Sequence, residues 1–563
     1  MSRDAGGLTA PRVPLTIGVI GHRDLRSDEV AAITSSIRDV LVSYRHRFPL
    51  TPILLLSSLA QGADRLAAEA CAGLQSVALV AVLPLAIADY ELDFSEPGDL
   101  ESFRRCLARS EHVVQADDFI KSMPRVSNDL GTMPESARSY AYQRCARFIS
   151  DQSHVLIAVW DGESPEFAGG TADTVHYRLA STERLPDERQ TSLWSAEAGV
   201  LLQIPALRAS SVSVSSGQNA TLTGDAGPRV IDENFDQQQW NMMTPDPVAN
   251  RIEFINERMV SGGLARCPRS VTEAVMSIAD AHASLQQVRY RRRAASVLIV
   301  GVCTLVLIHG EQSIAERWLV GPALIALSVT GVLWFGLARS NVKDKFQQSR
   351  VLAEGARVQS AWLATGVRTC PSDHYLQGQP HVEWIRRAMR SAWLADRIES
   401  AGEETSAAAY EWMQGQLDYF DGSSDREGAI ARNRLKAQRY RSLTIAGLVL
   451  ALLGIAMDAM RFVTGDGSAT AISGIGQVAW EVGLATAAAS AAYGYLLAFD
   501  EIDRQYTFAA ATYRRGLSDL EHLRGHAPKS HRIHEVVELV GLESLRETAS
   551  WLALNRDRSV RPL

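Results

Sequence analysis

Apolar residues run through this chain on two different scales. In the second half the runs are long. Leu319-Val320-Gly321 through Gly336-Leu337-Ala338 is a stretch of about 20 residues without a charge, enough for one helix to cross a bilayer. Ala294 through Ile308 is a shorter run, separated from it by the polar link His309 to Arg317. Arg291, Arg292 and Arg293 lead in, and Arg339, Lys343 and Lys345 lead out. A second pair repeats the layout: Arg439-Tyr440-Arg441 enters Leu443 to Met457, and Val482 to Phe499 returns after a Gly-rich link. Basic outer flanks put those ends in the cytoplasm. The pattern predicts two hairpins and four spans; buried core helices are the alternative, which length and flanking charge disfavour.

Polar and small residues inside these runs qualify the picture. Asp458 and Glu481 sit at or just inside the outer ends of spans, where an unpaired carboxylate is costly. They can pair with Arg461 or sit among headgroups, or rings of them across an oligomer can form a cation-favouring outer mouth. From Gly483 to Gly494 the small residues Ala485, Ala487, Ala488, Ala489, Ala491 and Ala492 allow close helix packing, within one subunit or between subunits. Upstream, Val271 to Arg289 carries Ala274, Ile278, Ala281 and Leu285 on one face and is expected to run continuously into the first span.

In the first half the apolar runs are short. Leu15 to Ile20, Pro52 to Leu56, Val77 to Leu83 and Val155 to Trp160 read as buried strands, with Leu201 to Ile204 as one more. Helices are expected at about Ser27 to Tyr44, from Gly62-Ala63-Asp64 through Ala70, at Tyr140 to Ile149, and from Thr171 to Leu179. Strands alternating with helices predict a parallel, doubly wound sheet. The fold class is therefore an α/β Rossmann-like N-terminal domain followed by an all-α membrane region with four transmembrane helices.

Totals change this little. At 563 residues the chain exceeds one core, so two or three units are expected. A balance of 57 basic and 64 acidic residues, net −7, gives no global nucleic-acid signal. Cys71, Cys106, Cys145, Cys267, Cys303 and Cys370 are scattered without metal spacing, which suits a reducing compartment. Met1 to Pro14 has no apolar core, so no signal peptide is expected.

Candidate chemistry lies in three Gly- and Ser-rich loops at strand C-terminal ends, where doubly wound sheets bind ligands. Glycine lets the backbone approach an anion, and a following helix N-terminus points free N–H groups at it. The nucleotide-binding candidates are Gly21, His22 and Arg23; Ser57, Ser58, Gly62 and Asp64; Gly169, Gly170, Thr171 and Asp173; and Arg144 upstream of the fourth strand. Tight turns alone would also explain any single loop. Asp64 reads as a helix-start residue more readily than as a catalytic acid. Arg144 is either a phosphate clamp or a solvated helix residue. His22 either contacts ligand or caps its turn. No metal and no resident cofactor are expected.

Ile17-Gly18-Val19-Ile20-Gly21-His22-Arg23, Ser57-Ser58-Leu59-Ala60-Gln61-Gly62-Ala63-Asp64, and Val159-Trp160-Asp161-Gly162 with Gly169-Gly170-Thr171-Ala172-Asp173 together resemble the SLOG superfamily. That Rossmann-like group includes the LOG phosphoribohydrolases and the DNA-processing A proteins. The resemblance covers roughly 15–208. The LOG enzymes carry Pro-Gly-Gly-x-Gly-Thr followed by a catalytic Glu. Here Ala168 replaces the Pro, the x-Gly is missing, and only Asp173 lies near the acid position. Arg144 and Arg147 fall about where that family keeps its catalytic Arg. These departures favour binding over cleavage.

The two hairpins, Leu352-Ala353-Glu354-Gly355-Ala356-Arg357 and the closing Glu547, Trp551 and Arg556-Asp557-Arg558 resemble the SLATT family, two-helix membrane effectors found beside SLOG sensors in bacterial conflict systems. The match covers roughly 271–558 in duplicated form. The implied organisation is a nucleotide-sensing domain over 15–208, a linker or insertion over 209–270, a first hairpin with its cytoplasmic helix over 271–365, a connector over 366–431 and a second hairpin with its tail over 432–563. The implied function is a membrane-disrupting or pore-forming effector of antiphage defence, gated by a nucleotide-derived second messenger. It would be a homo-oligomer in the cytoplasmic membrane, with both termini and the SLOG domain inside. A membrane-anchored nucleotide N-glycosidase using Arg144 and Asp173 is the enzymatic alternative. Single-stranded DNA binding is a third, which net acidity opposes, so no nucleic-acid partner is expected.

Overall fold

The computed structural model describes residues 11–116, 135–163, 169–179, 199–210, 227–232, 236–241, 243–261, 268–314, 320–377, 379–399, 406–464, 470–524 and 530–557. The chain divides into two compact units, Met1–Ile278 with Leu352–Glu404, and Ala279–Val351 with Thr405–Leu563.

The first unit is built on a sheet. Its elements run β1 (Leu15–Gly21), α1 (Val30–Arg47), β2 (Ile53–Ser57), α2 (Ala63–Ala70), β3 (Val77–Leu83), α3 (Ile87–Glu91), α4 (Pro97–Arg109) and β4 (His112–Gln115). Then follow α5 (Glu135–Gln152), β5 (Val155–Trp160), α6 (Thr171–Leu179), β6 (Val200–Pro205), β7 (Arg229–Ile231), β8 (Gln237–Gln239) and α7 (Pro247–Ser261). Among the described residues the strand order is β4-β3-β2-β1-β5-β6-β7-β8. β1 to β6 are parallel, and β7 and β8 pair antiparallel at the edge. β5 is buried along its whole length, as a strand covered on both faces must be, which is why its sequence does not alternate. Helix α1 instead buries one stripe, Ile33, Ile37, Val40, Leu41 and Tyr44, at helical spacing. The chain winds outward from β1 to β4 and then returns to β5 on the other side of β1. That reversal opens a crevice at the C-terminal ends of β1 and β5.

α7 closes the opposite end of this sheet. Asn256, fully buried, accepts from Val13 N–H and donates to Val13 O, both at 2.8 Å. Asp246, just ahead of α7, accepts from the Tyr44 hydroxyl at 3.1 Å and the Ala249 N–H at 2.8 Å, and His154 Nε2 lies 3.0 Å from both its oxygens. Burial works against that carboxylate's charge, yet these partners bring it down to about 2.

Three further helices enter the first unit: the start of α8 (Val271–Ile314), the end of α10 (Val342–Thr365), and α11 (Glu383–Glu399). The carboxylate of Asp396 on α11 caps α8, accepting from Val271 N–H at 2.7 Å and Thr272 N–H at 2.9 Å. Trp362, Tyr375 and Trp393 are fully buried around this junction. The expected continuity between the Val271 helix and the first apolar run holds, since α8 is one helix of 44 residues.

The second unit is all helical. It contains the remainder of α8 and α10, α9 (Val320–Arg339), α12 (Ser406–Asp421), α13 (Ala429–Thr464), α14 (Thr470–Leu496), α15 (Phe499–Arg524) and α16 (Ser530–Asp557). Three helices among the described residues are long and apolar enough to cross a membrane, namely α9, α13 and α14 within Val320–Thr365, Ala429–Met460 and Ile475–Arg524. This corrects the four expected from sequence. The apolar run on α8 between Arg293 and His309 spans only about 22 Å at 1.5 Å per residue, short of a hydrocarbon core of about 30 Å. Leu324, Ile325, Val332, Leu452 and Leu453 are exposed in the protein itself, as lipid-facing side chains would be.

α13 and α14 meet along a glycine seam. A Cβ on Gly447 would lie 2.6 Å from Gly483 O, and one on Gly454 would lie 2.5 Å from Gly476 O. Seven-residue spacing on both helices keeps these glycines facing, so the backbones touch. Ala487 is buried against the same seam, whereas Ala488, Ala491 and Ala492 are exposed. The Asp458 carboxylate packs on Gly476, where an added Cβ would meet Oδ1 at 2.5 Å. Glu481 accepts from Gln477 Nε2 at 3.1 Å along its own helix. A pairing of Asp458 with Arg461 lies outside the described side chains.

Candidate functional site

The crevice at the sheet's switch point holds a cavity of about 430 Å³. All three loops singled out in the sequence reach it. Gly21, His22, Arg23, Ser58, Asp64, Gly169, Gly170, Thr171 and Asp173 line its wall. Ser57 and Gly62 stand behind that wall in the same loops, and Arg144 is not among the lining residues; its guanidinium lies 5.6 Å from the centre of the Tyr140 ring.

Each loop has a local cause. After β2 the chain turns through Leu59, whose φ of 56° is left-handed and unusual for a branched residue. Asp64 Oδ1 holds that turn, accepting from Ser58 N–H at 3.0 Å, Ser57 Oγ at 3.1 Å and Ser58 Oγ at 3.2 Å. Burial nonetheless lifts Asp64 from its ordinary 3.8 to about 6, against these bonds. Gly62, at φ 80°, lies under the β1 loop, and a Cβ there would meet His22 O at 2.3 Å. Only glycine fits.

The third loop is organised the same way. Gly169 has φ 82°, and a Cβ would meet the Gln143 backbone at 2.9 Å. Its N–H donates to Asp173 Oδ2 at 2.8 Å, which Gln143 Nε2 also approaches at 3.4 Å and Arg147 Nη2 at 4.0 Å. Asp173 therefore caps the turn that starts α6, with Gly170 and Thr171 left facing the cavity. Ala168, which stands where the resembled LOG motif has proline, lies outside the described residues.

His22 sits between two roles. Its Nε2 is 3.2 Å from the Asp161 N–H and 3.1 Å from Asp161 Oδ2. One nitrogen serves them one at a time: unprotonated it accepts the N–H, protonated it donates to the carboxylate. Burial, the largest influence, lowers the imidazole below its usual value despite Asp161. The neutral ring is thus the form near neutral pH. Asp161 also pairs with Arg208 Nε at 2.9 Å.

The sequence reading missed Tyr142, Arg208 and Ser210, which complete the wall. Tyr142 lies under the Arg23 guanidinium, 5.3 Å from ring centre to carbon. Arg208 and Ser210 follow β6 and reach the site because Leu25 bridges Arg208 and Asp24 accepts from Ser210 N–H at 3.0 Å. No spacing announces them; only the strand order brings them in.

No protein-family model matches this chain, and no curated protein matches it either. The chain is a mixed α/β domain fused to a helical, membrane-spanning region.

Proposed function

We propose that this chain is a nucleotide-gated membrane effector, in which the α/β domain of about 15–208 binds a nucleotide-derived signal and the helical region acts on the bilayer. The observation that carries the reading is the convergence of three Gly/Ser loops on one cavity at the switch point, the usual ligand position in such sheets. Gly170 and Thr171 at the start of α6 offer backbone and hydroxyl donors suited to a phosphate, with Arg23 and Arg208 at the wall. The departures from the LOG motif support binding rather than N-glycosidic cleavage. So does the use of Asp64 and Asp173, both engaged by loop donors.

A lethal effector must rest closed. Moving such an equilibrium from about 1:99 to 99:1 takes roughly 5.5 kcal/mol of differential binding. One phosphate clamp is a weak source for that, which supports a homo-oligomer acting cooperatively in the cytoplasmic membrane. The resemblance of the loops to SLOG proteins and of the hairpins to SLATT proteins supports a role for such a machine in bacterial antiphage defence.

Calorimetry with a nucleotide panel, paired with dye leakage from liposomes carrying the protein, tests this. A nucleotide that binds and triggers leakage, with both effects lost in Gly170→Glu, is the expected result. Turnover of a nucleotide without leakage would replace the effector by the glycosidase.

A further inference from the structure

The seam that joins α14 to α13 is matched by a second one on the opposite side of α14. Toward α13 the helix presents Gly476, Trp480, Gly483 and Ala487, which meet the α13 glycines, and Ser490, whose hydroxyl lies 2.8 Å from that of Thr444. These positions advance by four and three residues in turn. Away from α13 the same advance picks out Gln477, Glu481, Leu484, Ala488, Ala491 and Tyr495. The last four are exposed and the first two half-buried. A stripe of this spacing is the pattern by which one helix packs lengthwise on another. The first stripe is filled by α13. α8 and α9 join α14 near Tyr493, about 18 Å along the helix from Glu481.

Glu481 makes the second stripe unsuited to lipid. A Cβ on Gly483 would meet the Ala451 N at 2.5 Å, and Ala451 stands midway between Arg441 and Arg461, about 15 Å along α13 from each. Glu481, half a turn before Gly483, therefore lies near the middle of a hydrocarbon core of about 30 Å, deeper than the outer end expected from the sequence. Its hydrogen bond on its own helix comes from Gln477 Nε2 at 3.1 Å. An acidic side chain at that depth costs about 2.5–3.5 kcal/mol against lipid, so such residues turn to protein or water.

Two copies inserted the same way bring these stripes together in parallel, with Glu481 and Gln477 at matching depths. A carboxyl and a carboxamide offer donors and acceptors to each other, and Gln477 has a second amide N–H to give. Ala488 and Ala491 let the two backbones close further along. A polar residue in such a seam fixes register and copy number. We infer that the outward stripe of α14 packs on α14 of a second copy of this chain, with Glu481 and Gln477 of the two copies hydrogen-bonded across the contact.

This contact gives the proposed homo-oligomer an interface, stands whatever the α/β domain binds, and is tested without nucleotide. The full chain is expressed in membranes with Cys303, an exposed native thiol, changed to serine. Oxidation of Leu484→Cys should give a disulfide-linked dimer, at least about fivefold more than Leu452→Cys, also exposed and near the same level on α13. Energy transfer between donor- and acceptor-labelled copies in liposomes, diluted with lipid, reads the affinity. Glu481→Leu should weaken it at least about threefold, while Glu481→Gln, which keeps donor and acceptor, should leave it within about twofold. The cross-link at 484 decides the matter if Glu481→Leu fails to fold. Equal cross-linking at 484 and 452, a disulfide confined to monomers, or unchanged association in Glu481→Leu would each overturn the interface. An effector that oligomerises through another face would fail these tests yet still leak dye on binding nucleotide, so the two readings fail separately.

Discussion

The carboxylate of Asp173 accepts a hydrogen bond from the backbone N–H of Gly169 at 2.8 Å, across the turn that opens α6. An acid so placed shapes the loop. Asp173→Asn keeps an acceptor at that position and, on the proposed reading of the cavity as a nucleotide site, is expected to retain affinity within about twofold. Asp173→Ala removes the cap, worth about 1 kcal/mol, and should weaken binding roughly fivefold. Calorimetry on both variants checks this; equal loss in the two would point to the charge itself.

Asp64 gives the α/β domain a pH signature. Its folded value is raised from 3.8 to about 6, so the folded state holds the proton more tightly than the unfolded one. Its contribution to stability is full below about pH 4 and declines as pH rises to about 6, by roughly 3 kcal/mol. Asp64→Asn does not titrate, so its stability relative to the parent should grow across that window. Hydrogen exchange of β2 and α2 amides at pH 4 and 7 measures it. A difference independent of pH would contradict the account.

The cap on α8 is equally specific. Asp396→Ala leaves the Val271 and Thr272 N–H groups without their buried acceptor. A loss of about 1–3 kcal/mol is expected, seen as faster exchange of the first α8 amides.

The ends of the second hairpin must share one side of the membrane. Asn433 Nδ2 donates to Phe499 O at 2.8 Å, and Arg434 pairs with Asp503 at 2.7 Å. Thiols introduced at 434 and 503 should react with an impermeant reagent from the same face of intact vesicles. Reaction from opposite faces would break the hairpin.

What the sequence disclosed follows from how much each element buries. β1, β2, β3, β5 and β6 are apolar runs inside a covered sheet, and their limits fall within a residue or so of the pattern. β4 has only Val113-Val114 at its centre, and β8 is Gln237–Gln239, all exposed; edge strands like these carry no hydrophobic signal. α7 has a clear stripe in Val248, Ile252, Ile255 and Met259, yet lies within a span expected to be a linker, so the Ser-rich stretch beside it obscured a legible helix. In the site, loops with Gly and Ser were visible because their backbone needs those residues. Tyr142 and Arg208 were not, since their place depends on tertiary pairing. The span count failed on length, where flanking arginines made a short run resemble a long one.

The glycine seam between α13 and α14 also limits where ions or small solutes can pass. Atoms of the facing helix come within 2.6 Å of the Cβ positions of Gly447 and Gly454, closer than a water molecule's own diameter of about 2.8 Å. Gly454→Leu should force these helices apart at a cost of roughly 3 kcal/mol or more, whereas Gly331→Leu, with nothing within 4 Å, should be silent in thermal unfolding. A welded pair cannot be a conduit along its own seam. Any permeation route past this hairpin must therefore run along the faces that α13 and α14 turn away from each other.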